Sequence, residues 1–330
     1  IKCDKRSLQV PYSNITLKTN GTGVINILSN EYTKNPNIIL INNVEKTMEN
    51  KHSFENSENI INIITLIWAD DLDTTANMFK GCKNIIEIDL SEFDSSKVKN
   101  MYCMFAGCSR LTSLNLTNLN TNQVESLDYI FQGCSSLKTL DLSSFNTSQT
   151  NFFSHLFEGC KALTSLDLSN FDTSNTVNME SMFQDCSSLV KLDLSNFNTS
   201  KTTNMFQMFR GCTKLEYINL KIAIIHAQTN TQFIFEATQS SLILLSINDD
   251  WKKFTYINRA MNCINNNSIY EENNYICVLK SDNEIKTNKY ICEVCGKNYY
   301  LKYNDNNNPY INCYDSPEGY YLDKNNSIFK

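Results

Sequence analysis

Leu163–Cys186, LTSLDLSNFDTSNTVNMESMFQDC, is the stretch whose reading decides the fold. Its pattern returns every 26 residues. Cys82, Cys108, Cys134, Cys160, Cys186 and Cys212 are evenly spaced, and Phe79, Phe105, Phe131, Phe157, Phe183 and Phe209 stand three positions before them. Phe235 continues the series, but Thr238 stands where the next Cys is due and Leu242 has slipped by one place, so the seventh copy is degenerate. Each copy parses into parts. In LxxLDL, Leu166 and Leu168 alternate with polar residues, which predicts a short strand with one buried face. SNFDTS reads as a turn of residues that bond their own backbone. Val177–Cys186 sets Met179, Met182 and Phe183 at helical spacing, which predicts a short helix with its apolar face inward. Gly107, Gly133 and Gly159, each just before a Cys, suit the end of such a helix.

One copy cannot enclose a core, but stacked copies can. The expected architecture is an α/β solenoid, a leucine-rich-repeat-like stack of strand–turn–helix units. Its strands would form a parallel sheet about 4.8 Å apart, with the helices on the other side. Residues 68–248 hold the repeat. Residues 1–67 read as a strand-rich mixed cap, with strands at 24–28, 38–42 and 60–67 and with Ile63, Ile64, Leu66 and Trp68 feeding the first rung. Residues 249–262 read as a cap or linker, and 263–330 as a Cys-rich module. That last segment carries Cys263, Cys277, Cys292, Cys295 and Cys313 and too few aliphatic residues for its own core, so disulfides are expected there. A four-Cys zinc site is the competing reading of the CxxC at Cys292 and Cys295. The odd Cys count suits a chain that continues past Lys330.

Composition narrows the function classes. The 330 residues are 41% apolar and 19% charged, with a net charge of −6, so no basic footprint for nucleic acid is present. The longest apolar stretch, Ile60–Trp68, is about half the ~20 residues of a spanning helix, and no membrane span is expected.

The pattern MFxGCxxLxxLDLSxFxTSxVxxM, plainest at 102–116, 182–197 and 208–220, resembles the BspA-like leucine-rich-repeat surface proteins in their 26-residue form. The resemblance implies an extracellular or surface-attached microbial protein used for adhesion. Its partner would be a protein or glycan on a host or neighbouring cell. It implies no catalytic residues.

Candidate partner contacts fall in columns. Asp89, Asn115, Asp141, Asp167, Asp193 and Asn219 lie between the inward leucines, and Glu87, Ser113, Thr139, Ser165, Lys191 and Tyr217 stand beside them on the same strands. Neighbouring carboxylates one rung apart repel by about 1 kcal/mol in water. Either a bound cation or nearby hydroxyls must compensate. The Cys82–Cys212 ladder reads as buried structural thiols rather than a metal or redox site. The Thr column of FxTS, Thr121, Thr147, Thr173 and Thr199, either orders water or satisfies turn backbone groups. His52, His155 and His226 have no evident nucleophile in register, and no HExxH, GxSxG or phosphate-loop motif occurs, so no enzyme and no cofactor is expected.

Overall fold

The computed structural model describes residues 13–54, 61–220, 223, 225–238 and 242–245, and beyond these only the backbone of short strands. Among the described residues it is built of strands and turns, with no helix. The chain opens with β1 (Ser13–Asn20), whose Ser13, Ile15, Leu17 and Thr19 are buried in strict alternation. Then come β2 (Gly23–Asn26), β3 (Ile38–Ile41), β4 (Val44–Lys46), β5 (Lys51–Phe54), β6 (Ile61–Trp68), β7 (Ile85–Asp89) and β8 (Ser113–Asn115). Six of them form a mixed sheet in the order β4-β3-β6-β1-β7-β8, while β2 pairs with β5. β1 runs antiparallel to β6 on one side and to β7 on the other, and β7 and β8 are parallel.

Two expectations for the cap change here. β1 was not among the expected strands, because SNITLKTN offers only two apolar residues to reveal its period. It is nonetheless β1, and not β6, that lies against the first repeat strand and covers its edge. Ile63 is 47% exposed, whereas Ile64, Leu66 and Trp68 face the core, because side chains alternate along β6.

Within the repeat, the expected helix is replaced by alternating turns. In the copy ending at Cys186, the N–H groups of Ser181, Phe183 and Asp185 donate to the carbonyls of Phe206, Met208 and Arg210 in the next copy, at 2.8, 2.9 and 2.7 Å. Those of Met182, Gln184 and Cys186 donate three residues back, at 3.3, 3.1 and 3.1 Å. The cause lies in two left-handed residues per copy. Asn77, Cys103, Tyr129, His155, Ser181, Gln207 and Phe233 form one column with φ between 52° and 61°, and the Gly column of Gly81, Gly107, Gly133, Gly159 and Gly211 forms the other, with Asp185 and Ala237 in step. Each left-handed residue rotates the following peptide away from the helical path and toward the neighbouring copy. Three-residue turns still set Met179, Met182 and Phe183 on one side, all buried, which is why the spacing resembled a helix. The glycines therefore serve a left-handed turn inside the unit rather than a helix terminus.

Successive copies are joined at the same offset. Isolated parallel bridges link Thr74, Asn100, Ser126, Phe152, Asn178, Asn204 and Asn230, each to the next. Inside, the rings Phe79, Phe105, Phe131, Phe157, Phe183, Phe209 and Phe235 stack in one column, with centroids 5.4–6.0 Å apart and interplanar angles of 2–16°. The degenerate copy thus keeps its ring. Its Thr238 hydroxyl bonds the Phe235 carbonyl of its own copy, at 2.8 Å.

The sheet is less continuous than expected. β9 (Lys191–Asp193), β10 (Tyr217–Asn219), β11 (Ile243–Leu245) and β12 (Arg259–Met261) form a second parallel sheet, in register at the same interval over β9 to β11. Between β8 and β9, residues 139–141 and 165–167 are not strands. The bond from Leu90 N–H to the Asn115 carbonyl (3.1 Å) and that from Leu194 N–H to Asn219 (2.8 Å) have no counterpart at Leu116, Leu142 or Leu168. There, side chains of the following copy instead bind the carbonyls of the same three Leu residues, and the N–H groups are not recaptured. Ser144 Oγ donates to the Leu116 carbonyl (2.8 Å), Asn170 Nδ2 to Leu142 (2.9 Å) and Asn196 Nδ2 to Leu168 (3.0 Å). Side chain–backbone bonding of this kind competes with a ladder.

Beyond β12, the backbone forms antiparallel hairpins, among them Tyr270–Glu272 with Tyr275–Leu279 and Tyr290–Cys295. The side chains of Cys263, Cys277, Cys292, Cys295 and Cys313 lie outside the described residues.

Candidate binding surface

The Asp/Asn column is built by local hydrogen bonds. Five members, from Asp89 to Asp193, each close a turn by accepting the N–H two residues on. Ser91 donates to Asp89 Oδ1 (3.0 Å), Thr117 to Asn115 Oδ1 (3.1 Å), Ser143 to Asp141 (2.9 Å), Ser169 to Asp167 (2.9 Å) and Ser195 to Asp193 (2.9 Å). Asp and Asn serve equally because only a carbonyl-type oxygen is needed. The bond from the Ser143 N–H, and then its hydroxyl, hold the Asp141 carboxyl below the usual carboxylate range. Asn115 Nδ2 also donates to Asp89 Oδ1 (2.9 Å), so at that rung the column is joined sideways. Asp141, Asp167 and Asp193 are exposed, while Asp89 and Asn115 are half-buried.

The neighbouring column shares this face. Ser113, Thr139 and Ser165 are exposed. Glu87 is paired with Lys18 of β1 at 2.8 Å, which ties the cap to the first rung. Register sets Glu87 opposite Ser113 and Lys191 opposite Tyr217, and Asp193 opposite Asn219. The Tyr217 side chain lies outside the described residues. Where the ladder is interrupted, a cleft of about 530 Å³ opens between 164–169 and 190–196, lined among others by Ser165, Asp167, Lys191 and Asp193. Nothing in the sequence marked this cleft, since the copies on either side of it carry the same LDLS as the copy before them, at 140–143.

The other columns are internal. Thr121, Thr147 and Thr173 are buried, and each hydroxyl both donates to and accepts from the next copy. Thr173 Oγ1 donates to the Asn198 carbonyl at 3.1 Å and accepts the Asn198 N–H at 2.8 Å. These Thr are therefore buried rung connectors, and ordered surface water is not their role. The thiols of Cys82, Cys108, Cys134, Cys160, Cys186 and Cys212 are buried and unbridged. From Cys108 to Cys212 each Sγ donates to a Phe carbonyl of the preceding copy, at 3.0–3.3 Å. Burial pushes the Cys82, Cys160 and Cys212 thiols up to about 12. Cys103, off the ladder, is also buried.

The histidines are dispersed. His155 stacks on Tyr129 at 4.4 Å and its Nδ1 meets Glu158 at 2.7 Å. His226 Nε2 faces the Ser200 carbonyl at 2.8 Å, and His52 is buried in β5. Among the described residues no group of three or more His, Cys, Asp or Glu side chains is placed to hold a metal ion. Nor is any helix there long and apolar enough to cross a membrane.

Two overlapping stretches, residues 73–167 and 139–246, match the family model described as "Mycoplasma protein of unknown function, DUF285". That description assigns no activity. No curated protein and no solved structure matches the chain.

Proposed function

We propose, from the premise that the chain belongs to the DUF285 family, that it is a microbial surface or secreted protein whose stacked repeats form a solenoid for adhesion. Its resemblance to BspA-like leucine-rich repeats supports this reading. The partner is a protein or glycan on a host or neighbouring cell, met by the face carrying Glu87, Asp89, Asn115, Thr139, Asp141, Ser165, Asp167, Lys191, Asp193, Tyr217 and Asn219. One observation carries the proposal. On this face polar side chains repeat at fixed spacing, exposed at Thr139, Asp141, Ser165, Asp167 and Asp193, while the Thr column of FxTS is spent on internal bonds. An extended surface of that kind suits a broad ligand rather than a small substrate.

The test uses the full chain, labelled, on immobilised matrix proteins, glycans and whole cells. Thr139→Arg with Ser165→Arg alters exposed, non-bonded positions of the face. The proposal expects saturable binding to at least one target, reduced about tenfold or more by the double variant, since lost complementarity of 1.4 kcal/mol is a factor of ten. No saturable binding by the folded chain would favour a second reading, a coat or spacer without a ligand. The internal satisfaction of the Asx turns is the observation on that side.

A further inference from the structure

The interrupted ladder leaves main-chain groups without the partners that neighbouring rungs have. At the equivalent place in other copies, Leu90 N–H reaches the Asn115 carbonyl and Leu194 N–H reaches Asn219. Leu168 N–H makes no such bond to Asp193, and Leu142 N–H none to Asp167. Leu166, like Leu114, is only half-buried, whereas Leu140, Leu192 and Ile218 are buried at 9%, 1% and 0%. The rung has therefore drawn away from its neighbour on this face alone, while the Phe157 and Phe183 rings behind it stay stacked at 5.6 Å. Unpaired strand edges recruit extended polypeptide, which supplies the missing donors and acceptors in alternation. The cleft of about 530 Å³ falls within the ~300–1,000 Å³ range of ligand sites. Its floor includes Leu166, Leu168 and Val190, and its charged lining is Asp167, Asp193 and Lys191, net negative. The two carboxylates occupy equivalent positions on adjacent rungs. A side chain entering between them meets both.

We propose that this cleft receives a short extended segment of a partner polypeptide, with a Lys or Arg side chain set between Asp167 and Asp193. The proposal rests on the adhesion reading and narrows it, for this rung, to a protein partner with a basic, strand-forming segment. A glycan offers hydroxyls but neither the charge nor the alternating amide pattern that the two open edges require.

The experiment is amide hydrogen exchange on the full chain, free and with the probe peptide acetyl-Thr-Val-Lys-Val-Thr-amide. The counterpart with Glu at the centre and a neutral oligosaccharide serve as comparisons. In the free chain the amides of Leu166 and Leu168 are expected to exchange at least ~tenfold faster than those of Leu192 and Leu194. The Lys peptide slows them, the Glu peptide does not, and Asp167→Asn with Asp193→Asn weakens binding about tenfold. These variants keep the turn, because Asn115 closes the same turn with its amide oxygen. Equal slow exchange in the free chain means a closed ladder and overturns the proposal. So does peptide binding indifferent to charge, no peptide binding at all, or protection by the oligosaccharide instead. Cell binding by the same preparation is measured in parallel. If it persists while the peptide fails, only the cleft assignment falls; if it is absent while the peptide binds, the adhesion reading falls.

Discussion

A single threonine shows how the copies are joined. Thr173 is buried, and its hydroxyl satisfies both the N–H and the carbonyl of Asn198 in the next copy. Replacing it with Val keeps the shape and strands the N–H and carbonyl of the half-buried Asn198. Thr173→Val should cost about 1–3 kcal/mol in urea unfolding. Thr173→Ser should recover most of that, because Ser95 accepts the Asn120 N–H at the same place in its copy at 2.7 Å. The ladder thiols allow a second residue-level prediction. Their folded pKa lies above the ordinary value of 9.0 because burial disfavours the thiolate. The stability they lend is complete below about pH 9 and falls as pH rises toward 12, at up to about 1.4 kcal/mol per thiol per pH unit. Stability against pH should therefore turn downward above pH 9. At pH 8, iodoacetamide should leave Cys82 to Cys212 unmodified until the chain is unfolded. Rapid labelling of the folded chain at these positions would contradict their burial.

At the scale of elements, the Phe column is the main cohesive feature. Phe157 stacks on Phe131 and Phe183 at 5.7 and 5.6 Å, whereas Phe235 stacks on Phe209 alone among the described rings. Phe157→Ala should cost about 3–5 kcal/mol, and Phe235→Ala less, as measured by denaturant midpoints at constant m. Element by element, legibility followed the strength of the repeated signal. The inward Phe, Met, Leu and Cys positions were readable because the 26-residue interval repeats them. The helix was misread because an i, i+3, i+4 apolar pattern also satisfies two turns separated by a left-handed residue, and the left-handed column is filled by Cys, Tyr, His, Ser, Gln and Phe as well as Asn. No residue type announces it. β1 was missed for want of apolar residues, since Ser13 and Thr19 occupy two of its buried positions. The cleft was invisible because LDLS recurs on both sides of it.

At the scale of the molecule, the unit that matters is one interval of 26 residues. Deleting residues 139–164 removes one whole copy and rejoins equivalent positions. Such a chain should fold, with a cooperative transition at somewhat lower temperature, because each copy contacts mainly its neighbours. Deleting residues 139–151 instead breaks the Phe, Cys and Thr columns at once and should abolish the transition seen by circular dichroism.

The account turns on successive copies lying side by side at this interval, and the sulfur atoms report it directly. In an anomalous difference map from crystals of the chain, the Sγ atoms of Cys82, Cys108, Cys134, Cys160, Cys186 and Cys212 should form one nearly straight row of six peaks about 5 Å apart, the separation of adjacent strands. Peaks scattered through the molecule, or drawn into pairs at the roughly 2.05 Å of a disulfide, would contradict it.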